Sequence, residues 1–343
     1  MITPWHWIAK LVANLLILTA CQSPSPPNPE AASKSRPTTN AETVHSPKEQ
    51  SPSRIDQIGA FNTTSPTATG QINHPELGEI SGLAASTRRK NTFWAVNDSG
   101  NKPALFALTH TGQSIGRFPV AVNNRDWEDL ASAWIDGESY LLIADIGDNQ
   151  RSKEKNSIYV FREPLLNNRV AKPLVPAHTL QFRYPDGAHN AESMAVADDW
   201  IYILTKEPQL KGKRQASQVY RMPLDLTNQS GVLVAEKIAN LAIPAYSIES
   251  SLIASLSGLD ISQPTAFDID AQNRYAYVLT YRTVYRYKRE LDESWAQALA
   301  KPRRRIHTHS LSQAEALAIS ANGVVWFTSE KRPAPLWALP GWR

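Results

Sequence analysis

The stretch Trp127-Glu-Asp-Leu-Ala-Ser-Ala-Trp-Ile-Asp-Gly-Glu-Ser-Tyr-Leu-Leu-Ile-Ala-Asp145 carries a Glu ahead of a small apolar run, then a polar turn, then a second apolar run that ends in an acid. The same pattern returns nearly 190 residues later as Ala314-Glu-Ala-Leu-Ala-Ile-Ser-Ala-Asn-Gly-Val-Val-Trp-Phe-Thr-Ser-Glu330. Between and before them lie further copies. The shape x-x-apolar-small starts at Ser81, Glu128, Glu192 and Glu315, with a degenerate copy at Thr265, and the starts are 47, 64, 73 and 50 residues apart. Each is followed by a turn and a second run: Phe93–Val96, Tyr140–Ala144, Ile201–Leu204, Tyr275–Leu279 and Val324–Phe327.

Third runs follow at Ala104–Leu108, Ser157–Arg162, Gln218–Met222, Thr283–Tyr287 and Leu336–Leu339. Fourth runs fall at Ser114–Val120, His178–Arg183, Gly231–Ala242 and Arg304–His309. They are short, rich in aromatic and β-branched residues, and bounded by Gly, Pro, Asn and Asp, which is the signature of strands. Leu291–Ala300 is the best helical window and reads as a loop insertion. Five copies of a four-stranded antiparallel unit predict an all-β chain folded as a five-bladed β-propeller. Six blades are the runner-up, with an extra hairpin near Tyr246–Leu256 filling the longest gap. The fifth unit stops at its third strand, so an N-terminal strand, Arg54–Asn62, is expected to close the ring and remove the free edge.

The rest of the chain reads differently. Residues 11–20 are a short apolar run, and Leu18-Thr19-Ala20-Cys21 follows with the only cysteine. A run of this length is too short to span a bilayer. The tetrapeptide resembles the lipobox of bacterial lipoproteins, which implies a signal peptide over residues 1–20 and a lipid on Cys21. Several acyl chains make a stable membrane anchor. The resemblance places the protein in the cell envelope, on the periplasmic face of the outer membrane if the cell is Gram-negative. Residues 21–53 hold seven Pro and seven Ser and no aromatic. Such a segment cannot bury enough surface to order itself, and reads as a tether. The propeller is expected over residues 54–343. The 36 Lys and Arg are scattered among 32 Asp and Glu, so nucleic acid is not an expected partner; Lys301-Pro-Arg-Arg-Arg305 reads as a solvated loop.

In a hairpin the start of the first strand lies beside the end of the second, and residues two apart share a face. If the first strand of each unit is innermost, the repeat gathers one set of groups at one mouth of the central channel. The expected ligand-binding rim is Glu79, Asp98, Asp126, Glu128, Asp145, Glu192, Lys206, Tyr281, Glu315 and Glu330. Crowded carboxylates share protons, pair with bases or bind a cation. Hard oxygens suit Ca²⁺ or Mg²⁺, with Asp145, Asp148 and Asn149 as the candidate metal turn. Glu128, Glu192, Glu315 and His189 are the candidate acid–base residues of a hydrolase acting on a phosphoester, ester or glycoside. The chain contains no H-E-x-x-H, Walker loop or dinucleotide fingerprint. Trp94, Trp127, Trp134, Trp200 and Trp326 follow the strand pattern and are expected in the core, with a cap over the channel as the alternative for Trp127.

Glu79-Ile-Ser-Gly-Leu-Ala84, Trp94-Ala-Val-Asn-Asp-Ser-Gly100, Asp126-Trp-Glu-Asp-Leu-Ala131, Asp145-Ile-Gly-Asp-Asn149 and Tyr184-Pro-Asp-Gly-Ala-His-Asn-Ala-Glu192 together resemble a family of secreted bacterial β-propeller proteins. The likeness extends over about residues 72–340 and includes Glu315-Ala-Leu-Ala318. It implies the propeller fold and carries no established activity. Propellers described as phytase-related or esterase-like are more distantly similar, at the level of fold. Three function classes stand at this point: a binding propeller for a small ligand or divalent cation, a hydrolase using the same carboxylates, and a structural scaffold that meets other envelope proteins.

Overall fold

The computed structural model describes residues 66–166, 172–210, 213–227, 231–241, 243–244 and 261–340. Cys21, the tether, the segment Arg54–Asn62 and the segment Tyr246–Leu256 lie outside the described residues.

Five blades, each built on four antiparallel strands, surround a channel. Blade 1 is built from β2 (Ile80–Ala85), β3 (Thr92–Asn97), β4 (Ala104–Thr109) and β5 (Ser114–Pro119). Blade 2 has β6 (Trp127–Ile135), β7 (Glu138–Asp145), β8 (Asn156–Arg162) and β9 (His178–Arg183). Blade 3 has β10 (Ala191–Ala197), β11 (Trp200–Thr205), β14 (Ser217–Pro223) and β16 (Glu236–Leu241), and the connection from β11 to β14 carries a small ribbon of β12 (Gln209–Leu210) and β13 (Lys213–Arg214). Blade 4 has β17 (Pro264–Ile269), β18 (Tyr275–Thr280), β19 (Thr283–Lys288) and β20 (Arg304–Thr308). Blade 5 has β21 (Ala314–Ile319), β22 (Val325–Ser329) and β23 (Ala334–Leu339), and β1 (Thr67–Ile72) pairs with β23 as its fourth strand. An N-terminal strand does close the ring, but it is Thr67–Ile72 and not the expected Arg54–Asn62. The first strands touch in the cyclic order β2, β6, β10, β17, β21 and back to β2, which makes a five-blade ring.

Second strands such as Trp200-Ile-Tyr-Ile-Leu-Thr205 are buried on nearly every residue, because both faces pack against neighbouring blades. Outer strands alternate, as in β9. The described apolar residues form one cluster at each blade junction. Trp94, Phe118, Trp127, Leu141 and Phe161 fill the junction of blades 1 and 2, and Ile72, Phe93, Phe106, Trp326 and Leu336 fill that of blades 5 and 1. Trp127 is 1% exposed and belongs to this core; it does not cap the channel. Trp134 departs from expectation at 58% exposed, since the nine-residue β6 carries its last turn past the neighbouring strands.

Two other departures concern blade edges. The run expected as one strand over 231–242 splits. Its first part, β15 (Val232–Val234), pairs in parallel with β9 of blade 2, and its second part is β16 of blade 3. The loop insertion in blade 4 contains α1 (Trp295–Ala300), started by a capping box between Ser294 and Gln297.

Every first–second strand pair carries a register slip at its mouth end. The slips fall between Ile80 and Gly82, Trp127 and Asp129, Ala191 and Ser193, Pro264 and Ala266, and Ala314 and Ala316. The skipped residues are Ser81, Glu128, Glu192, Thr265 and Glu315, the five repeat starts. A bulge leaves one residue outside the ladder and re-aims its side chain.

Two aspartates, Asp129 buried and Asp268 half-buried, tie innermost strands together. Asp129 accepts the N–H of Leu130 at 2.7 Å and that of Met194 in blade 3 at 2.8 Å. Asp268 accepts the N–H of Ile269 and that of Ile319 in blade 5, each at 2.8 Å. Burial pushes Asp129 well above the usual carboxylate range and Asp268 up to about 7, against these hydrogen bonds. Asp129→Ala strands the Met194 amide and is expected to cost about 1–3 kcal/mol of unfolding free energy in urea titrations, with Asp129→Asn losing less because an amide oxygen still accepts.

Candidate ligand site at the channel mouth

The turns that join second to third strands, and the segments that lead into each first strand, share the end of the channel where the bulges lie. Asn97 Oδ1 accepts the N–H of Glu79 at 3.2 Å, and the N–H of Asp98 donates to the Glu79 carbonyl at 2.8 Å. Asn124 bridges to blade 2. Its amide donates to the carbonyls of Asn97 and Asp98 at 3.0 and 2.8 Å, and its oxygen takes the Trp127 N–H at 3.1 Å. Asp98, Asp126 and Glu128, half-buried, are thereby brought together, each with a carboxylate oxygen within 4.8 Å of the others'.

Gly147 completes this corner. Its N–H donates to the Asp126 carbonyl at 3.2 Å. A Cβ on Gly147 would overlap Glu128 Oε1 and come within 2.6 Å of the Asp126 carboxyl carbon. The glycine in Asp145-Ile-Gly-Asp-Asn149 is thus required by close approach of two carboxylates to backbone.

Blades 3, 4 and 5 supply the other side. Lys206 Nζ lies 3.1 Å from Glu192 Oε2 and donates to the Tyr281 hydroxyl at 3.1 Å. Asn190 donates to Glu192 Oε1 at 3.0 Å. Gln313 donates to Glu330 Oε2 at 2.7 Å. Burial would lower the Lys206 ammonium, but the charges of Glu192, Glu315 and Glu128 hold it well above its ordinary value. Lys206 thus contacts one bulge glutamate and feels the charge of two more. Burial, then the neighbouring charges of Asp126, Glu330 and Glu192, push Asp98 up to about 7. Burial followed by Glu192, Asp98 and Asp126 raises Glu128. Glu315 is raised by burial, then by the charge of Glu330 and a hydrogen bond with it.

Other expected members stand apart. Glu79 receives the Asn101 amide at 2.8 Å on the flank of the corner. Asp145 is fully buried and faces basic groups, with Arg125 Nε at 3.1 Å and Lys153 Nζ at 3.6 Å, so it adds nothing to the acid excess. Asp148 Oδ2 accepts the Lys153 N–H at 2.7 Å, and Asn149 Oδ1 accepts the Asn190 amide at 3.3 Å. These three are occupied as a blade-corner turn; among the described residues the carboxylates that converge are those of Asp98, Asp126 and Glu128. Both His189 nitrogens are engaged, Nδ1 with Glu207 at 3.0 Å and Nε2 with Asp186 and Tyr220 at 3.2 and 3.0 Å. The Glu207 hydrogen bond outweighs burial and raises the imidazole. His189 brackets the lead-in loop of blade 3 to the segment that carries Lys206. Thr265 Oγ1 donates to the Ala314 carbonyl at 2.7 Å and closes blade 4's place in the ring.

No family model matches the chain, and no curated relative matches it. Among solved structures it is similar to a glucose dehydrogenase at 8% identity, with a TM-score of 0.46 over 81% of this chain and 100% of that one. It is similar to the PQQ-bound aldose sugar dehydrogenase of Streptomyces coelicolor at 10% identity, with a TM-score of 0.43 over 81% and 99%. A gluconolactonase of Xanthomonas campestris aligns at 13% identity and a TM-score of 0.38 over 82% and 86%. Likeness at this level says nothing of the chemistry at the mouth.

Two outcomes are expected. Gly147→Ala must push Asp126 and Glu128 from their places, and overpacking of this kind costs about 1–3 kcal/mol, read by denaturant unfolding. Asp98 holds its proton to about pH 7 when folded but only to about pH 4 when unfolded. The folded state therefore binds more protons in that window, and this group's contribution to stability falls as pH rises through it. Melting in EDTA at pH 5 and pH 8 should show the decline, and Asp98→Asn should flatten it.

Proposed function

We propose that the protein is an extracytoplasmic binding propeller, tethered to a membrane through lipidated Cys21, that takes a divalent cation or a small ligand at its acid-rich channel mouth. The observation that carries this reading is the charge balance of the mouth. Glu128, Glu192 and Glu315 come from three separate blades and share one lysine, with Asp98, Asp126 and Glu330 beside them. A positive charge placed there relieves repulsion that the chain's own bases leave uncompensated. Attachment and an envelope location rest on the Leu18-Thr19-Ala20-Cys21 motif, and kinship with the secreted bacterial propellers rests on the motifs quoted above.

A hydrolase is the second reading, favoured by one contact. Burial and the Glu330 charge push Glu315 well above the usual carboxylate range, and a raised carboxyl beside a second carboxyl is the arrangement from which ester or glycoside hydrolysis draws its acid and base. Under this reading Glu315→Gln abolishes turnover of chromogenic ester, phosphoester and glycoside substrates, while under the binding reading none is turned over by the wild type.

The test of the leading reading is a melting curve. Ca²⁺ in 100-fold excess over its dissociation constant should stabilise the protein by about 2.7 kcal/mol relative to EDTA. Absence of any shift with Ca²⁺ or Mg²⁺ would leave the cation reading without support. Cys21→Ser should move the protein from the membrane to the soluble fraction.

A further inference from the structure

We infer that a Ca²⁺-class cation is seated between blades 1 and 2, held by the carboxylates of Asp98, Asp126 and Glu128 and by the hydroxyl of Ser81. This rests on the acid-mouth reading and fixes where at the mouth the cation sits. Three carboxylates alone could settle their repulsion by protonation. The hydroxyl is the independent sign. Ser81 is the bulge residue of blade 1, equivalent to Glu128, Glu192 and Glu315 in the other blades. It is 3% exposed, and its Oγ has no hydrogen-bond partner. A buried hydroxyl without a partner costs free energy unless something accepts or donates there.

The position of Ser81 follows from the strand beside it. A Cβ on the next residue, Gly82, would meet the Leu130 nitrogen at 2.5 Å and the Asp129 carbonyl carbon at 2.7 Å. Both innermost strands run inward from the mouth, so one residue nearer the mouth Ser81 stands level with Glu128. On its own hairpin the slip leaves Ser81 opposite Asn97 and Val96, just inside the turn that carries Asp98. The hydroxyl therefore belongs to the same corner as the three acids.

The donor set is all oxygen, which selects hard cations. Ligands held at about 2.3–2.6 Å from one Ca²⁺ can stand at most about 5 Å apart, and the three carboxylate oxygens lie within 4.8 Å of one another. Four protein oxygens fill part of a shell of 6–8. The remaining positions face the channel, where water or an oxygen of a ligand would complete it. Gly147 fits the same account, because it admits backbone where any side chain would displace Glu128.

The experiment titrates the full-length protein in detergent with CaCl₂ by calorimetry, and with Tb³⁺ read by sensitised emission, since the Trp127 indole adjoins Glu128. One site is expected. Glu128→Gln and Asp126→Asn should weaken it at least tenfold, Ser81→Ala several-fold, and Glu315→Gln little. Amides also relieve the acid crowding, so Glu128→Gln should melt no lower than wild type in EDTA, which separates loss of the site from loss of the fold. Wild-type affinity in Glu128→Gln and Asp126→Asn with loss in Glu315→Gln would overturn this site and leave the mouth reading standing. No binding of either ion by the wild type would overturn both.

Discussion

A strand turns alternate side chains to opposite faces, and the innermost strand of a propeller blade needs both faces for its two neighbours. A charged group on such a strand would be driven into an apolar junction. One extra residue per hairpin removes the conflict. The slip at Ser81, Glu128, Glu192, Thr265 and Glu315 takes that residue out of the ladder, and the residues after it return to the packing register. Leu83, Leu130, Met194, Phe267 and Leu317 are buried within two residues of the slip. The bulge lets one short segment serve the core and the channel together.

Because the backbone device repeats, chemistry is set by which side chain each blade places there. Three blades use Glu. Blade 4 uses Thr265, whose hydroxyl is spent on the Ala314 carbonyl, and blade 1 uses Ser81, whose hydroxyl is not spent on the protein. The mouth is therefore an arc. Its basic pole is Lys206 with Tyr281, and its most acidic corner is the junction of blades 1 and 2. The inter-blade bonds of Asp129 and Asp268 fall on innermost strands just below this arc, which holds the blades at fixed spacing where the charges meet.

The repeat was legible because a bulge residue must be polar or small while its neighbours must be apolar, and that contrast survives in a single sequence. Parts of the expected rim stand together: Asp98 with Asp126 and Glu128, Lys206 with Glu192 and Tyr281, and Glu315 with Glu330. Closure was legible as a need, but Thr67-Ala-Thr-Gly-Gln-Ile72 is mostly exposed and offers one large aliphatic, so its periodicity is silent. Asp145 misled because its two basic partners, Arg125 and Lys153, come from loops whose course no strand pattern predicts. Gly147 stands in a turn, where sequence alone gives a glycine no further role, and only the proximity of Glu128 and Asp126 supplies one. The same holds for Asp129: next to Glu128 in sequence, it points to the neighbouring blade's backbone.

The two acids of that dipeptide show how burial and partner decide between structure and binding. Asp129 is surrounded by backbone donors that stay fixed whatever its protonation, so its cost is settled once, on folding. Glu128 meets mainly other acids and a lysine shared with Glu192 and Glu315. Its free energy depends on what those neighbours carry, and a proton or a cation at the corner changes it directly. Adjacent carboxylates, one turned inward and the other released by the slip, thus divide the work of holding the ring and of answering to a ligand.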